Sequence, residues 1–247
     1  MNKVSSKAHI MSNVKIGYYT VIEENVQIGK NSTVGNNVTI YRGTIIGENV
    51  RIDDNTVIGK QPMRAVTSAI SDGKEQIPAN IGDGSIIGTS SIIYAGCNIG
   101  RDCLIADLST VRENVTIGDK TIIGRGVAIE NYCEIGSYCK LETNAYITSY
   151  SKLEDYVFIA PGVVTSNDNF AGRTKERFKH FKGVTIKRGG RIGAQVTILP
   201  GKTIEEDGFV GAGSVVTKNV PKEKIMIGNP IREISNVSEE QLLKNNI

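Results

Sequence analysis

The sequence predicts an all-β fold, a left-handed parallel β-helix of about ten coils that forms a single domain over residues 1–247. Large aliphatic residues occupy every sixth position in three runs, from Val4 to Ile58, from Ile81 to Ile159 and from Ile186 to Val216. The fourth residue after each of them is nearly always small or β-branched, and glycine commonly follows them directly. A period of six fits neither an α-helix nor the two-residue alternation of an ordinary strand, whereas hexapeptide repetition is typical of a triangular β-helix.

Each hexapeptide is expected to form one short strand on one side of a prism, so three of them complete a coil of eighteen residues. The aliphatic residue points inward and stacks on the residues one coil before and one coil after it. The small residue fills the corner, where a larger side chain has no room. We expect the glycines, such as Gly17, Gly29 and Gly82, to ease the corner where a side chain would crowd the turn.

The repeat is interrupted twice, and each interruption changes its phase. Ile58 and Ile81 are 23 residues apart, and Ile159 and Ile186 are 27 residues apart, so neither gap is a multiple of six. We therefore predict two loops that leave the prism, at about residues 60–80 and 165–185. Long loops in a compact repeat are more often functional than accidental, and the second loop is also rich in Lys and Arg.

The C-terminal segment, about residues 220–247, is predicted to cap the open end of the prism. The run from Ser238 to Gln241 fits a capping box, and Leu242 and Leu243 follow it. This pattern predicts a short C-terminal helix.

Composition restricts the possible partners. The chain is 22% charged and 6% aromatic, lacks Trp and has a formal net charge of +3. Such a small charge argues against a nucleic-acid partner. No apolar run is long enough for a membrane span, and the N-terminus lacks the apolar stretch of a signal peptide, so we expect no membrane partner and a cytoplasmic location.

The four cysteines all fall at the small inward position of the repeat, at Cys97, Cys103, Cys133 and Cys139. A buried Cys behaves as a small hydrophobe, so we interpret them as core residues. The prism interior offers no partners for a metal site or a catalytic thiol. We therefore expect no metal.

Histidine is scarce, and this bears on the chemistry. His9 lies in the first coil and His180 in the second loop, so neither occupies a central coil. A hydroxyl acceptor must lose its proton before it attacks, which usually requires a base such as His. An amine with a pKa of about 7.7–8.0 is partly neutral already, and an enzyme that acylates it can act by positioning. O-acyltransferases with a similar hexapeptide repeat generally use a His base, so this resemblance and the lack of a central His favour N-acylation over O-acylation.

Several motifs from the second loop onward resemble a known family. They read FIAPGVVTSNDNF, GRTKERF, FKGVTIKRGGRIGAQVTILPG, VGAGSVVTKNVP and IGNPIREI. They resemble the hexapeptide N-acetyltransferases of nucleotide-linked amino sugars, most of all the dTDP-3-amino-3,6-dideoxyhexose 3-N-acetyltransferases. The resemblance implies transfer of an acetyl group from acetyl-CoA to the amino group of a nucleotide-linked, dTDP-type amino-deoxy sugar, by direct attack of the amine. It also implies a homotrimer with active sites between neighbouring prisms.

The same resemblance implies roles for individual residues. Asn167 and Asp168 would position the amine, although both residue types also favour loop turns without any substrate. Ser149 stands where several relatives have a Glu that contacts the sugar, and Tyr150 and the loop residue Arg173 complete the predicted substrate site. The residues implied for coenzyme A combine small side chains for the pantetheine arm with basic ones for phosphates, at Lys187, Arg188, Ala194, Gly211, Ala212, Lys218 and Arg232.

Two other functions remain open. The segment VIGKQPM resembles the early loop of the O-acyltransferases that begin lipid A synthesis, but the chain lacks their central His base. A non-catalytic β-helix that serves as a scaffold or binding module is the third possibility. It would not need two long loops.

Overall fold

The computed structural model describes residues 1–68 and 74–247, so residues 69–73 of the predicted first loop lie outside the described residues. It confirms the left-handed parallel β-helix. Strands of two residues stack in parallel on strands of the neighbouring coils, as where Ile87 pairs with Ile105 one coil later. Three sheets form the sides of the prism, and we call them sheets A, B and C.

Sheet A consists of Lys3–Val4, Val21–Ile22, Thr39–Ile40, Val57–Lys60, Ile92–Tyr94, Thr110–Val111, Ala128–Ile129, Tyr146–Ile147, Val164–Thr165, Thr197–Ile198 and Val215–Val216. Sheet B consists of His9–Ile10, Gln27–Ile28, Ile45–Ile46, Asn80–Ile81, Asn98–Ile99, Thr116–Ile117, Glu134–Ile135, Lys152–Leu153, Thr185–Ile186 and Thr203–Ile204. Sheet C consists of Lys15–Ile16, Thr33–Val34, Arg51–Ile52, Ile86–Ile87, Leu104–Ile105, Ile122–Ile123, Lys140–Leu141, Phe158–Ile159, Arg191–Ile192, Phe209–Val210, Lys224–Ile227 and Arg232–Asn236.

The described sheets contain 11, 10 and 12 strands, so the solenoid has slightly more coils than the ten predicted. One additional strand, Val164–Thr165, places Thr165 at an inward position that an aliphatic pattern does not reveal. The other two lie beyond the repeat. Lys224–Ile227 continues sheet C in parallel, and Arg232–Asn236 then pairs with it in antiparallel fashion.

The core is a stack of aliphatic layers, and the small inward residues also join the coils by hydrogen bonds. The hydroxyl of Ser85 donates to the carbonyl of Gly100 at 2.9 Å, and that of Thr121 donates to the carbonyl of Gly136 at 2.8 Å. The thiol of Cys133 makes the same contact with the carbonyl of Thr148 at 3.1 Å. The predicted small position is therefore a donor between coils as well as a space filler.

All four cysteines are buried in this core and free, as the repeat predicts. Burial raises the pKa of the Cys97 and Cys133 thiols to about 12. Since the thiolate is the reactive form, none of these side chains is poised as a nucleophile at neutral pH.

The structure bears out the expectation that a side chain at the glycines directly after the inward residue would be crowded, and it identifies what would crowd it. The residues in the left-handed region occupy the third position after the inward aliphatic residue, as Asn37 (φ 54°) and Asn55 (φ 60°) do. Gly82 directly follows an aliphatic residue, and a Cβ atom there would lie 2.6 Å from the carbonyl carbon of Gly100. Glycine directly after the inward residue is thus required by the close approach of the next coil, whereas the turn at the third position is formed as often by Asn as by Gly, both of which tolerate positive φ.

Both predicted loops leave the prism along the same edge, from different coils. The first follows Val57–Lys60 and returns at Asn80–Ile81, and the second follows Val164–Thr165 and returns at Thr185–Ile186. Each therefore connects a strand of sheet A to a strand of sheet B. We call this line of turns the A–B edge, and name the B–C and C–A edges in the same way.

The predicted C-terminal helix is wrong in kind. The segment forms two 3₁₀ turns, Glu239–Gln241 and Leu243–Asn245, separated by Leu242 in an extended conformation. The Ser238 hydroxyl donates to the Glu240 carboxylate at 3.3 Å, and no side chain caps the turn. Leu242 is buried and its backbone is extended, so the two turns do not join into one helix.

Replacing Gly82 with Ala should lower the free energy of unfolding by about 1–3 kcal/mol, because the new Cβ must displace the backbone of the next coil. Urea unfolding measures the change. Arg125→Ala, at an exposed turn, serves as the control and should change stability by less than about 0.5 kcal/mol. Equal stability of the two variants would contradict the proposed role of glycine.

Candidate functional site

The predicted site residues are distributed over all three edges of the prism. The A–B edge carries Ser149, Tyr150, Asn167, Asp168 and Lys218, with Arg173 on the loop that leaves there. The B–C edge carries Lys187 and Arg188. The C–A edge carries Ala194, Gly211 and Ala212. Arg232 begins the last strand of sheet C, Arg232–Asn236. The three edges of one prism face away from one another. Within a single chain, Lys218 is therefore the one predicted coenzyme A residue that shares an edge with the substrate-site residues.

Asp168 organises the second loop. Its Oδ1 accepts a hydrogen bond from the amide of Phe170 at 2.8 Å, and its Oδ2 accepts from the amide of Gly172 and from Arg177 Nη1, both at 3.0 Å. Burial alone would raise the pKa of Asp168, but the two amides and the guanidinium outweigh it and lower the pKa below its usual value. The carboxylate is therefore held in its charged form, which suits an anchor better than a proton acceptor.

Asn167 precedes this anchor and is partly buried. Its carbonyl accepts a hydrogen bond from the amide of Lys182 at 3.1 Å, which joins the start and the end of the loop. Within residues 1–68 and 74–247, its side-chain amide makes no hydrogen bond. The backbone at Asn167 is thus anchored, while the donor and acceptor of its side-chain amide have no partner among the described residues.

Ser149 and Tyr150 lie one coil before Asn167 on the A–B edge. Ser149 is 2% exposed, and its hydroxyl donates to Asn131 Oδ1 at 2.6 Å. Tyr150 is exposed and stacks in parallel on Tyr132, with ring centres 5.4 Å apart. In this chain Ser149 contacts a neighbouring coil, and Tyr150 offers an aromatic surface. Their role in substrate binding stays a prediction.

On the B–C edge, acidic residues of the same chain hold both predicted phosphate-binding residues. Lys187 Nζ lies 2.9 Å from Glu154 Oε1, and this ion pair raises the pKa of the lysine. Arg188 Nη1 lies 3.6 Å from Asp155 Oδ2, and its guanidinium lies over the ring of Tyr156. Both ion pairs border a depression of about 540 Å³. Any phosphate bound there has to compete with the two carboxylates.

The C-terminal part of the C–A edge is open and lined by small residues. Ala212 and Gly213 are exposed, and a Cβ atom at Gly213 would meet nothing within 4 Å. A Cβ atom at Gly193, one coil earlier, would instead lie 2.5 Å from the amide nitrogen of Ala212. The edge therefore presents backbone that an extended ligand can approach closely.

A polar cluster on the A–B edge, formed by Tyr94, Arg112, Glu113 and Glu130, is not among the predicted site residues. Arg112 donates from Nε and Nη2 to the two carboxylate oxygens of Glu113, at 2.8 and 3.1 Å. Its Nη1 lies 3.4 Å from Glu130 Oε2, and its guanidinium lies over the ring of Tyr94. The side chain of Glu113 is 2% exposed, and that of Glu130 is 25% exposed. We call this set the Arg112 cluster.

The sequence contains a signal for this cluster in the residues that directly follow the inward aliphatic residues. In three successive coils, the residue directly after the inward aliphatic residue differs between two sheets. It is glycine on sheet B, but it is a large or charged residue on sheet A. The sheet B residues are Gly100, Gly118 and Gly136, and the sheet A residues are Tyr94, Arg112 and Glu130. A comparison of equivalent positions at eighteen-residue spacing would have found them.

Neither histidine belongs to the Arg112 cluster. His9 is exposed in the first coil, and His180 Nε2 lies 3.3 Å from Glu176 Oε1 in the second loop. In the part of the chain that the structure describes, no three His, Cys, Asp or Glu side chains are grouped so that they could hold a metal ion. No helix in that part is long and apolar enough to cross a membrane.

Two models of sequence repeats match parts of the chain. The model for the bacterial transferase hexapeptide (six repeats) matches residues 7–42 and 96–131, and the model for the hexapeptide repeat of succinyl-transferase matches residues 78–106. The matched segments, residues 7–42 and 78–131, resemble transferase hexapeptide repeats. These matches support the predicted class of acyltransferase without specifying an acceptor.

Curated relatives match a limited region. A Staphylococcus aureus (strain MRSA252) protein, provisionally named an acetyltransferase, is 38% identical over 72 residues, or 29% of this chain and 36% of the relative. The galactoside O-acetyltransferase of Escherichia coli (strain K12) is 35% identical over 88 residues, or 34% of this chain and 43% of that enzyme. The matched region thus spans less than half the length of either relative.

One solved structure is similar over almost the whole chain. An Arabidopsis UDP-N-acetylglucosamine acyltransferase aligns with 99% of this chain and 75% of its own length, with a TM-score of 0.70 and 19% sequence identity. At this identity the similarity shows a shared fold.

Because the pKa of Asp168 is lowered in the folded loop, its contribution to loop stability is present above the unfolded-state value and is lost as pH falls through the folded-state value. We expect amide exchange at Phe170 and Gly172, corrected for intrinsic rates, to accelerate below about pH 3.9. Asp168→Asn should show accelerated exchange at neutral pH. The control Asp102→Asn, at an exposed turn, should not affect the loop, and unchanged protection in Asp168→Asn would refute the anchoring role.

Proposed function

We propose that this protein transfers an acetyl group from acetyl-CoA to the amino group of a nucleotide-linked amino-deoxy sugar, with dTDP as the favoured nucleotide. The observation that carries the proposal is the side-chain amide of Asn167, which lies where a backbone hydrogen bond closes the loop and has no hydrogen-bond partner among the described residues. An amide in that state can orient an amine or stabilise the oxyanion of a tetrahedral intermediate. The motifs around Asn167 add support, since they resemble those of amino-sugar N-acetyltransferases.

The acyl donor is supported by the repeat and by the open C–A edge. Relatives that share the repeat are named acetyltransferases. The small residues Ala194, Gly211 and Ala212 leave room for a pantetheine arm close to the backbone, and Arg232 follows nearby in the chain. Lys187 and Arg188 lie on a different edge, so they would meet the same coenzyme A molecule only across an interface between copies.

A homotrimer is part of the proposal, and the outer face of sheet A is the surface that suits it. From Val21 to Val215, the outward residue before each inward one is uncharged in the described strands of this sheet, and their single charged residue is Lys60 at the end of Val57–Lys60. Sheet B presents Glu134 and Lys152, and sheet C presents Lys140 among other charged residues. An uncharged face of this length is unusual on a monomeric protein and favours contact with another copy.

The assembly is tested by placing a charge on that face. Thr110→Glu lies at the middle of sheet A and should shift the protein from trimer to monomer, because the new carboxylate loses its hydration at the interface. Light scattering coupled to size exclusion gives the mass. Thr116→Glu, at the equivalent outward position of sheet B, should leave the trimer intact. A monomeric wild-type protein would refute the assembly.

Turnover is tested by the release of free CoA from acetyl-CoA in the presence of dTDP- and UDP-linked 3-amino and 4-amino sugars. Asn167→Ala should lower kcat/KM for the amino sugar by roughly 10²-fold, since the amine is no longer oriented. It should leave the affinity for CoA unchanged. The neighbouring, exposed Asn169→Ala should retain wild-type kcat/KM.

The same acceptor panel decides against the proposal if no amino sugar leads to CoA release. Hydroxyl acceptors in the panel test O-acylation, which the pairing of His180 with Glu176 favours because a carboxylate can orient an imidazole base. Turnover on a hydroxyl acceptor alone, abolished by His180→Ala, would establish that alternative. Absence of any thermal shift with CoA or nucleotide sugar would favour a non-catalytic module.

A further inference from the structure

The Arg112 cluster contains one guanidinium and two carboxylates, and the two carboxylates are not equivalent. Glu113 is almost fully buried and holds Arg112 through two short hydrogen bonds. Glu130 meets the same guanidinium through one longer contact of 3.4 Å and is partly exposed at the edge. Arg112 is thus neutralised by Glu113, and Glu130 remains as a carboxylate with incomplete pairing and access to solvent.

The surroundings of Glu130 favour a proton acceptor. The titratable groups around it are Arg112, Glu113, Tyr146 and the neutral thiol of Cys133. Burial raises the pKa of Glu130; Arg112 opposes this rise, Glu113 adds to it, and the net value lies above that of an ordinary glutamate. A carboxylate with a raised pKa binds a proton more readily near neutral pH than a fully solvated one.

Glu130 and Asn167 lie on the same edge. The inward residues Ile129, Ile147 and Thr165 occupy consecutive coils of sheet A, so Glu130 lies two coils before Ser166 and Asn167. With a spacing of about 4.8 Å per coil, the backbones at the two sites are roughly 10 Å apart along the axis. A sugar ring fits between two side chains at that spacing, and the buried Ser149, which donates to Asn131, lies on the coil between them.

We propose that Glu130 accepts the proton that the acceptor amine must lose before it attacks the thioester of acetyl-CoA. The proposal rests on the function proposed above. The ammonium group gives one proton to the Glu130 carboxylate, and the nitrogen lone pair then forms a bond to the acetyl carbonyl carbon. As the tetrahedral intermediate collapses, the carbon–sulfur bond breaks and the second nitrogen proton passes to the CoA thiolate. Glu130 finally releases its proton to solvent.

The first test replaces Glu130 with Gln, which keeps the shape of the side chain and leaves the two Arg112–Glu113 bonds intact. We expect kcat/KM for the amino sugar at pH 7 to fall by about tenfold, because only about a tenth of an amine with a pKa of about 7.7–8.0 is neutral at pH 7 without a base. The deficit should shrink towards pH 9, because such an amine is then mostly neutral without a base. The affinity for CoA should not change.

The matched control is Glu23→Gln. Glu23 also directly follows an inward aliphatic residue of sheet A and is partly buried, but it lies five coils before Glu130, outside the Arg112 cluster. It should retain the wild-type pH profile. A second variant, Glu130→Ala, should regain activity when formate is added, whereas a purely structural defect would not respond to formate.

The outcomes separate this inference from the function on which it rests. If the wild-type protein acetylates no amine, both proposals fail. If the wild-type protein is active and Glu130→Gln matches it at pH 7, only the role of Glu130 fails. A deficit in Glu130→Gln that is constant from pH 7 to pH 9, together with no rescue of Glu130→Ala by formate, would show a structural role and also overturn the inference.

Discussion

Parallel hydrogen bonding between successive coils is the constraint on which the rest of this structure depends. Each strand must match a strand one coil away, and an insertion is tolerated only if the chain returns to the same register. Ile46 pairs with Ile81 across the first loop, and Leu153 pairs with Ile186 across the second. The inserted residues therefore project from a corner and leave the sheets unbroken. In this chain both insertions project from the A–B edge, so the constraint that preserves the fold also concentrates irregular backbone on one side of the prism.

Register also explains how far the fold could be predicted from the sequence. The six-residue period of aliphatic residues predicted most of the coils, because stacking of the coils buries those side chains. Thr165 escaped the same search because it is polar, yet its hydroxyl donates to the carbonyl of Tyr146 and accepts from the amide of Thr148, which satisfies it within the core. The two C-terminal 3₁₀ turns were not predicted because the local sequence fits a helix. In the structure the buried Leu242 is extended and no side chain caps the first turn.

The candidate site was less accessible to sequence reasoning, for a physical reason. Motifs pointed to the loop that holds Asn167, but the anchoring role of Asp168 depends on Arg177 and two backbone amides that only the folded loop brings together. Arg112, Glu113 and Glu130 belong to turns of adjacent coils, so their meeting depends on stacking at eighteen-residue spacing. Local sequence around any one of them resembles an ordinary solvated turn.

The two halves of the proposed chemistry place different demands on this frame. Orientation of an acceptor needs a hydrogen-bond donor and acceptor, which the side-chain amide of Asn167, unpaired among the described residues, offers on an anchored backbone. Proton transfer needs a carboxylate whose charge is only partly compensated, which one guanidinium shared between Glu113 and Glu130 provides. Both lie on the A–B edge, whereas the surface suited to the pantetheine arm lies on the C–A edge. Since a prism turns these edges away from each other, a thioester could reach the acceptor only where the C–A edge of one copy lies beside the A–B edge of another. One chain can therefore fold without having a complete site. The uncharged outer face of sheet A borders both edges, so contact between copies at this face would bring the two edges together.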